Sequence, residues 1–320
     1  MERAISVVIP TYQRARLVVE AIRSAADQSL TPLEIVVVDD GSTDGTADAV
    51  RRLEEELRAR TDVRLVQRPK EGGNAARNAG VRAARGAWIA FLDSDDVWSS
   101  EKLELQLARL QDDASAVACY CGVRELDQHG SLSAEPRAYP EGDLSRRLLV
   151  RDVTGPTSCY VVRRDALLEA GLFDEALEAR QDWDMWIRIS RLGPILSVGK
   201  PLTGLRRHGG PRTATDPTRE VAAYRRIRAK YREELRALPW AMRCLALSAY
   251  HRRLARVRRH YEGRWARGLA HALAAWATSP LLPENTLVVA GFFLPEGVRR
   301  RLRPAWNRLA GRSGLGLTSH

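Results

Sequence analysis

The stretch from Trp88 to Trp98, WIAFLDSDDVW, constrains this chain more than any other. An apolar run, Trp88 to Leu92, is preceded by Gly86 and stops abruptly at Asp93, Asp95 and Asp96, with Ser94 between them. A run this short, with large apolar residues, reads as a strand buried on both faces rather than one side of an amphipathic helix. The carboxylates therefore stand at a strand's carboxyl end. Three negative charges crowded there repel one another, and the cost is relieved if a divalent cation binds or the charges fan out into water. No His or Cys lies close by in sequence, so a hard, oxygen-liganded Mg²⁺ or Mn²⁺ suits the site better than zinc. The same residues also suit an acidic turn capping the next helix, with Asp96 or Ser99 as N-cap. Taken alone, the stretch leaves both readings open.

Its neighbours alternate strand and helix. Ile5 to Ile9 is a strand closed by Pro10, followed by a loop at Thr11 and Tyr12 and a helical pattern over Ala15 to Gln28. Ile35 to Val38 is a fully apolar strand ending in Asp39-Asp40-Gly41-Ser42. A helix with Ala47, Val50, Leu53 and Leu57 on one face follows, then a strand from Val63 to Val66. Gly72-Gly73-Asn74 opens a helix from Ala75 to Ala84. Apolar strands separated by amphipathic helices mean a mostly parallel sheet covered on both sides, an α/β fold. Ligands of such sheets bind outside the carboxyl ends of the strands. Thr11-Tyr12, Asp39-Asp40 and the Asp93 turn all lie there, so they are expected to share one crevice.

In that crevice Tyr12 offers a ring to a base, and Asp39 an acceptor for a base N–H or ribose hydroxyls. Asn74 and Arg77 stand at a helix start whose N–H groups favour anions. Each residue also has an ordinary structural use as a packed loop aromatic, a turn or a solvated helix residue. Neither a G-x-G-x-x-G after the first strand nor a G-x-x-x-x-G-K-[ST] occurs, which disfavours a dinucleotide oxidoreductase and a P-loop NTPase.

The formal charge of +11 is unevenly spread: roughly −4 up to Asp216 and roughly +15 beyond it. That asymmetry divides the chain into 1–216 and a basic, helical 217–320. Cys119, Cys121, Cys159 and Cys244 show no paired spacing, so a reducing compartment is expected. Met1 leads almost at once into a strand, with no room for a signal peptide, and no apolar run reaches the roughly 18 residues of a spanning helix. A cytoplasmic protein is expected, with peripheral contact at the inner membrane face left open.

The segments SVVIPTYQR, VVVDDGSTDGT, GGNAARNAG and FLDSDD, in this order and spacing, resemble the N-terminal half of the family 2 glycosyltransferases. The resemblance covers roughly Ile5 to Thr215. It implies the GT-A fold, Rossmann-like, and inverting transfer from a nucleotide diphosphate sugar, a UDP-sugar foremost. It implies that Pro10, Thr11, Tyr12, Asp39, Asn74, Arg77, Asp93 and Ser94 hold the donor. Asp95 would ligate Mn²⁺ or Mg²⁺ bridging the diphosphate, with Asp96 as a substitute.

Further along, Thr154-Gly155-Pro156-Thr157-Ser158 precedes a strand from Cys159 to Arg163. A helix then begins near Gln181-Asp182-Trp183-Asp184-Met185-Trp186. Trp183, Trp186, Ile187 and Ser190 share one face, which favours core over sugar platforms. Asp182 and Asp184 stand in the first turn, where the helix dipole favours carboxylates. Read without the family, Asp182 is an N-cap. The resemblance instead makes it the general base, the second residue of a Glu-Asp pair whose first member is here Gln181. Leu205-Arg206-Arg207-His208-Gly209-Gly210 resembles a segment that closes over the diphosphate, so His208 would ligate the metal or donate to phosphate, or else be solvated.

Beyond Asp216 the pattern predicts helices over Thr218 to Leu238, Pro239 to about Tyr261, Gly263 to Thr278, and Val298 to Leu309. Pro280 and Pro283 break the chain before the apolar Leu287 to Leu294. Three uses fit: a bundle buttressing the site, a basic face on anionic lipid, or an oligomerisation module. No spanning helix and no Q-x-x-R-W motif means no processive synthase, and a glycan or lipid-linked acceptor is expected. Three rivals remain. A basic nucleic-acid-binding protein lacks a binding module, so no nucleic-acid partner is expected. A nucleotidyltransferase usually begins with a glycine-rich, basic triphosphate loop after the first strand, and Pro10-Thr11-Tyr12-Gln13-Arg14 has none. A non-catalytic homologue rests only on Gln181.

Overall fold

The computed structural model describes residues 4–126, 132–133, 139–206, 217–260 and 263–294. His208 and the helix expected over Val298 to Leu309 lie outside them. The first half alternates as its hydrophobic pattern dictates: β1 (Ile5–Thr11), α1 (Ala15–Ala26), β2 (Glu34–Asp39), α2 (Thr46–Leu57), β3 (Asp62–Gln67), α3 (Gly73–Ala83) and β4 (Trp88–Phe91). β5 (Asp96–Trp98), α4 (Lys102–Gln111), β6 (Ala118–Leu126), β7 (Leu132–Ser133) and α5 (Ser145–Val150) come next. They are followed by β8 (Tyr160–Arg163), α6 (Arg164–Glu169), α7 (Gln181–Ile189) and β9 (Ile195–Arg206). The C-terminal part is α8 (Pro217–Lys230), α9 (Arg232–Ala237), α10 (Trp240–His260), α11 (Trp265–Thr278) and α12 (Pro283–Phe293).

One sheet runs in the order β3-β2-β1-β4-β8-β6-β9-β5, with β7 on β6. β3, β2, β1 and β4 are mutually parallel. β8 then enters antiparallel to both β4 and β6, while β6 and β9 are parallel and β5 is antiparallel to β9. The sheet is therefore a parallel half joined to a mixed half. β1, β2 and β4 are fully buried along nearly their whole length because helices cover both faces, which is why they read as unbroken apolar runs.

α3 lies unusually close to the sheet. A Cβ on Gly80 would stand 2.3 Å from a Val8 methyl and 3.2 Å from one of Val38, so only glycine lets the helix press onto β1 and β2. That approach sets Arg77, one turn earlier, over the carboxyl ends of the strands. α7 is anchored by its aromatic face: Trp186 stacks on Tyr160 with centroids 3.6 Å apart, and Trp183 donates its indole N–H to the Leu148 carbonyl at 2.7 Å. Both tryptophans are buried core.

The stretch expected as one helix from Thr218 to Leu238 is two. It breaks at Tyr231, whose ring is buried and whose hydroxyl donates to Asp184 at 2.8 Å. A fixed tertiary partner for that side chain outweighs helical continuity. Ala223, Ile227 and Tyr231 belong to the same core cluster as β8 and α7. Arg180, just before α7, pairs with Glu220 on α8, which also pairs with Arg253 on α10. The basic helices thus buttress α7 from outside.

Candidate active site

The strand ends converge as their order along the chain requires. Parallel pairing sets Thr11 opposite Asp39, and both are buried. Thr11 Oγ1 and Asp39 Oδ2 have no hydrogen-bond partner, and neither does Arg77 Nε. Buried polar atoms are normally paired, so three orphans at the ends of adjacent elements mark a place where a polar ligand completes the structure. The other Asp39 oxygen accepts the Ser42 N–H at 3.1 Å. Pro10 is the penultimate residue of β1, and Tyr12 beyond it is exposed, with Lys70 Nζ 4.0 Å from its ring centroid. Gln13 takes a left-handed backbone, φ 53°, as does Arg180 at φ 57° beside Asp182. Such non-glycine conformations persist where surrounding contacts over-determine them.

Arg77 joins α3 to the acidic turn. Its Nη2 lies 2.5 Å from Asp93 Oδ1, and its Nη1 is 3.4 Å from Asn74 Oδ1. The Asn74 amide donates to the carbonyls of Asp174 and Leu177, at 3.1 and 2.8 Å, so it ties α3 to that loop. Asn78, not singled out from the sequence, does likewise, donating to the Phe173 carbonyl at 2.9 Å and accepting the Phe173 N–H at 2.8 Å.

The three aspartates of the turn face different ways. Asp96 is buried in β5 and accepts the Ser158 hydroxyl at 2.6 Å, while that same oxygen accepts the Asp93 N–H at 3.0 Å. Ser158 therefore pins the turn from the start of β8, a role only strand pairing reveals. Ser94 is buried between them. Asp95, with its side chain 17 % exposed, pairs with Arg14 Nη1 at 2.6 Å, and the Asp93 side chain is 30 % exposed. β9 ends at this turn, Leu205 pairing with Asp96.

Among the described residues no three His, Cys, Asp or Glu side chains converge as a protein-only metal cage. The donor set fits Mg²⁺ or Mn²⁺ in a different sense: one or two carboxylates, with substrate phosphates and water completing the octahedron. Asp95 has that character, and Arg14 neutralises it here.

Asp182 stands in the first turn of α7, half-buried, and accepts the N–H of Trp183 at 2.8 Å. The helix's N-cap is Arg180, which makes no side-chain cap bond. Burial pushes the Asp182 carboxyl up to about 6, and repulsion from Asp152 adds to this; Arg180, the Trp183 N–H and Arg77 offset part of it. The guanidinium that grips Asp93 therefore also acts, through its charge, on Asp182. A raised carboxyl with a charged neighbour in a recess has the character of a proton acceptor working near neutral pH. Asp152, between α5 and β8, has no motif in the sequence and was invisible there. Replacing it with Asn is expected to move the acid limb of the pH–rate profile below pH 6, because the repulsion that disfavours ionised Asp182 is gone. An unshifted limb would separate the two residues.

The profile for glycosyl transferase family 2 matches residues 6–171 of this chain, just over half of it. The chain belongs to glycosyl transferase family 2. It is 30% identical over 217 residues, 67% of its length, to an uncharacterised glycosyltransferase of Rickettsia felis, and covers 35% of that protein. It is 32% identical over 199 residues to the chondroitin synthase of Escherichia coli, covering 61% of this chain and 28% of the synthase. The chain thus spans about a third of the length of these curated relatives. The structure of S. aureus TarS residues 1–349 in complex with UDP-GlcNAc superimposes with a TM-score of 0.64 at 20% identity, covering 97% of this chain and 88% of that one. The glycosyltransferase therefore has the GT-A fold with a helical C-terminal region.

Proposed function

We propose that this glycosyltransferase moves a sugar from a nucleoside diphosphate sugar, a UDP-sugar foremost, to a hydroxyl of a glycan or lipid-linked acceptor, one residue at a time and with inversion, in the synthesis of a bacterial surface polysaccharide or glycoconjugate. The observation that carries the reading is Arg77, which holds Asp93 and whose Nε, like Thr11 Oγ1 and Asp39 Oδ2, is buried without a partner. Thr11, Tyr12 and Asp39 receive the nucleoside at the ends of β1 and β2. Arg77 and Asp93 orient the ribose and diphosphate, and Asn74 holds the loop beside them.

Asp182 takes the acceptor O–H proton as the acceptor oxygen bonds to the anomeric carbon, while the bond from that carbon to the diphosphate breaks on the opposite face. The nucleoside diphosphate leaves with the electron pair. A divalent ion held by Asp95 and the diphosphate would offset the negative charge on the departing oxygen. Arg14, 2.6 Å from Asp95, would then be released toward the phosphates.

A thermal-shift screen of nucleoside diphosphate sugars with Mn²⁺, followed by product analysis, tests the reading: release of nucleoside diphosphate supports it, and release of pyrophosphate sinks it. Asp95→Ala is expected to remove the Mn²⁺ dependence of donor binding in calorimetry, with metal-free binding little changed. Metal dependence equal to that of the wild type would rule out Asp95 as the ligand.

A further inference from the structure

The C-terminal helices carry an outer surface unlike the rest of the molecule. Among the described residues nine large apolar side chains are exposed, and six of them, Trp240, Trp265, Leu273, Trp276, Leu281 and Phe293, fall between positions 240 and 293. In α11 the usual arrangement is turned around. The residues buried are small, Gly268, Ala272 and Ala275, while Trp265, Leu273 and Trp276 are half exposed. Gly268 is where a Cβ would come within 3.0 Å of the Phe292 ring, so α11 and α12 pack closely through small residues and leave the large ones outside.

These side chains occupy the two ends and one flank of a helical hairpin. Trp265 lies 6.1 Å from both Phe292 and Phe293, centroid to centroid. At the other end Trp276 precedes the turn that bears Leu281, 95% exposed. α10 runs antiparallel to α11, with His251 meeting His271 at 3.0 Å. That register brings Trp240, 77% exposed, to the same end as Leu281. α11 has Arg267 and His271 as its only ionisable residues, and α12 only Glu284. Isolated exposed apolar residues are ordinary, but a cluster of aromatics on a hairpin with so few charges marks a contact surface.

The surrounding charge identifies the partner. Between Leu235 and Leu282 nine arginines stand against one acidic residue, Glu262. Arg243 on α10, Arg264 just before α11 and Arg267 in its first turn are exposed. A second copy of this face would bring like charges together, which disfavours self-association. No described helix is long and apolar enough to cross a membrane. At about 1.5 Å per residue, α11 and α12 are shorter than the roughly 30 Å hydrocarbon layer. Tryptophan at the acyl boundary with arginine at the phosphates is the side-chain pairing that an anionic lipid surface selects.

We propose that the α11–α12 hairpin docks this enzyme on an anionic phospholipid bilayer. Trp265, Leu273, Trp276, Leu281 and Phe293 enter the headgroup–acyl boundary, and Arg243, Arg264 and Arg267 lie on the phosphates. The docking face is separate from the Asp39, Asp93 and Asp182 site, so the two are testable apart.

The test is sedimentation of the full chain with vesicles of phosphatidylcholine alone or mixed with phosphatidylglycerol. The wild type is expected to partition onto the anionic vesicles, less so as salt rises, and hardly onto the neutral ones. Trp276→Gln with Leu281→Gln is expected to lower partition about tenfold or more. Arg264→Gln with Arg267→Gln is expected to lower it about fivefold per arginine. Brominated lipids should quench tryptophan fluorescence in the wild type and lose that effect in the apolar double variant. Donor hydrolysis without vesicles should be unchanged in both variants, which reports an intact catalytic fold. Absence of anionic-vesicle binding, or wild-type partition by the apolar double variant, overturns the proposal. So does a wild-type dimer that this variant dissociates without vesicle binding, since the face would then join two copies. Vesicle binding as expected, with no nucleoside diphosphate released from any donor, supports docking while removing the transferase reading.

Discussion

Replacing Asp182 with Asn is expected to lower the rate of sugar transfer about 10²–10⁴-fold while donor affinity stays within about twofold, because the amide keeps the shape but cannot take the acceptor proton. The contacts assigned to the donor come from other elements: Thr11 and Asp39 at two strand ends, Arg77 on α3 and Asp93 in the turn. Single-turnover transfer and calorimetric donor binding measure the two quantities separately. An equal loss in both would make Asp182 a structural residue. A second readout follows from the pKa pushed up to about 6. A carboxyl that binds its proton more tightly in the folded chain than in the unfolded one loses stability for the fold as pH rises from about 4 to about 6. The wild type thus carries that penalty at neutral pH, and Asp182→Asn should be more stable there by about 1–2 kcal/mol, with the difference vanishing near pH 4. Lower activity with higher stability is the signature of a group kept for chemistry rather than packing.

Asp184→Ala is expected to do the reverse, destabilising the protein by about 3–5 kcal/mol. Asp184 is fully buried. One oxygen accepts Arg188 Nε and Nη2 at 3.0 and 2.8 Å; the other accepts Lys230 Nζ and the Tyr231 hydroxyl, each at 2.8 Å. Burial pushes this carboxyl up, but the hydrogen bonds from Lys230 and Tyr231 and the Arg188 charge outweigh it, and the net position lies below the usual carboxylate range. Its contribution is therefore present at neutral pH and is lost as pH falls below about 4. Truncation leaves a buried tyrosine hydroxyl without its acceptor and takes the carboxylate from Arg188 and Lys230, which keep the Ala170 and Leu172 carbonyls and Asp174. Because Lys230 and Tyr231 end α8, the change also loosens the helices from α7, so transfer should fall with stability. Chemical denaturation of the variant checks this. A loss under about 1 kcal/mol, or one unchanged between pH 7 and pH 3, would show that the network holds nothing together.

Asp182 and Asp184 are two positions apart and look alike in the sequence, where both are first-turn carboxylates favoured by a helix dipole. Their opposite surroundings come from packing. Asp184 is held by Arg188, Lys230 and Tyr231, whereas Asp182 lacks such cations at bonding distance among the described residues and is repelled by Asp152. The same holds at the acidic turn. Asp93, Asp95 and Asp96 read as one cluster, yet strand pairing turns Asp96 inward to Ser158 and leaves Asp93 to Arg77 and Asp95 to Arg14. Asn74 fitted a nucleotide contact when read at a helix start, but its amide holds the carbonyls of Asp174 and Leu177, partners 100 residues or more away.

The sequence by itself determined the parallel half of the sheet and the place of its crevice. A strand buried on both faces must be continuously apolar, and a parallel neighbour demands a helical crossover, so β1, β2 and β4 and their polar ends are written in local pattern. It also carried the family, through four motifs in fixed order. Only the tertiary structure decided where β8 and β9 enter the sheet, which of three neighbouring aspartates turns inward, and that Asp152 lies by Asp182. These depend on pairing between segments far apart in the chain, whose energies lie in contacts, burial and charge that no local period records.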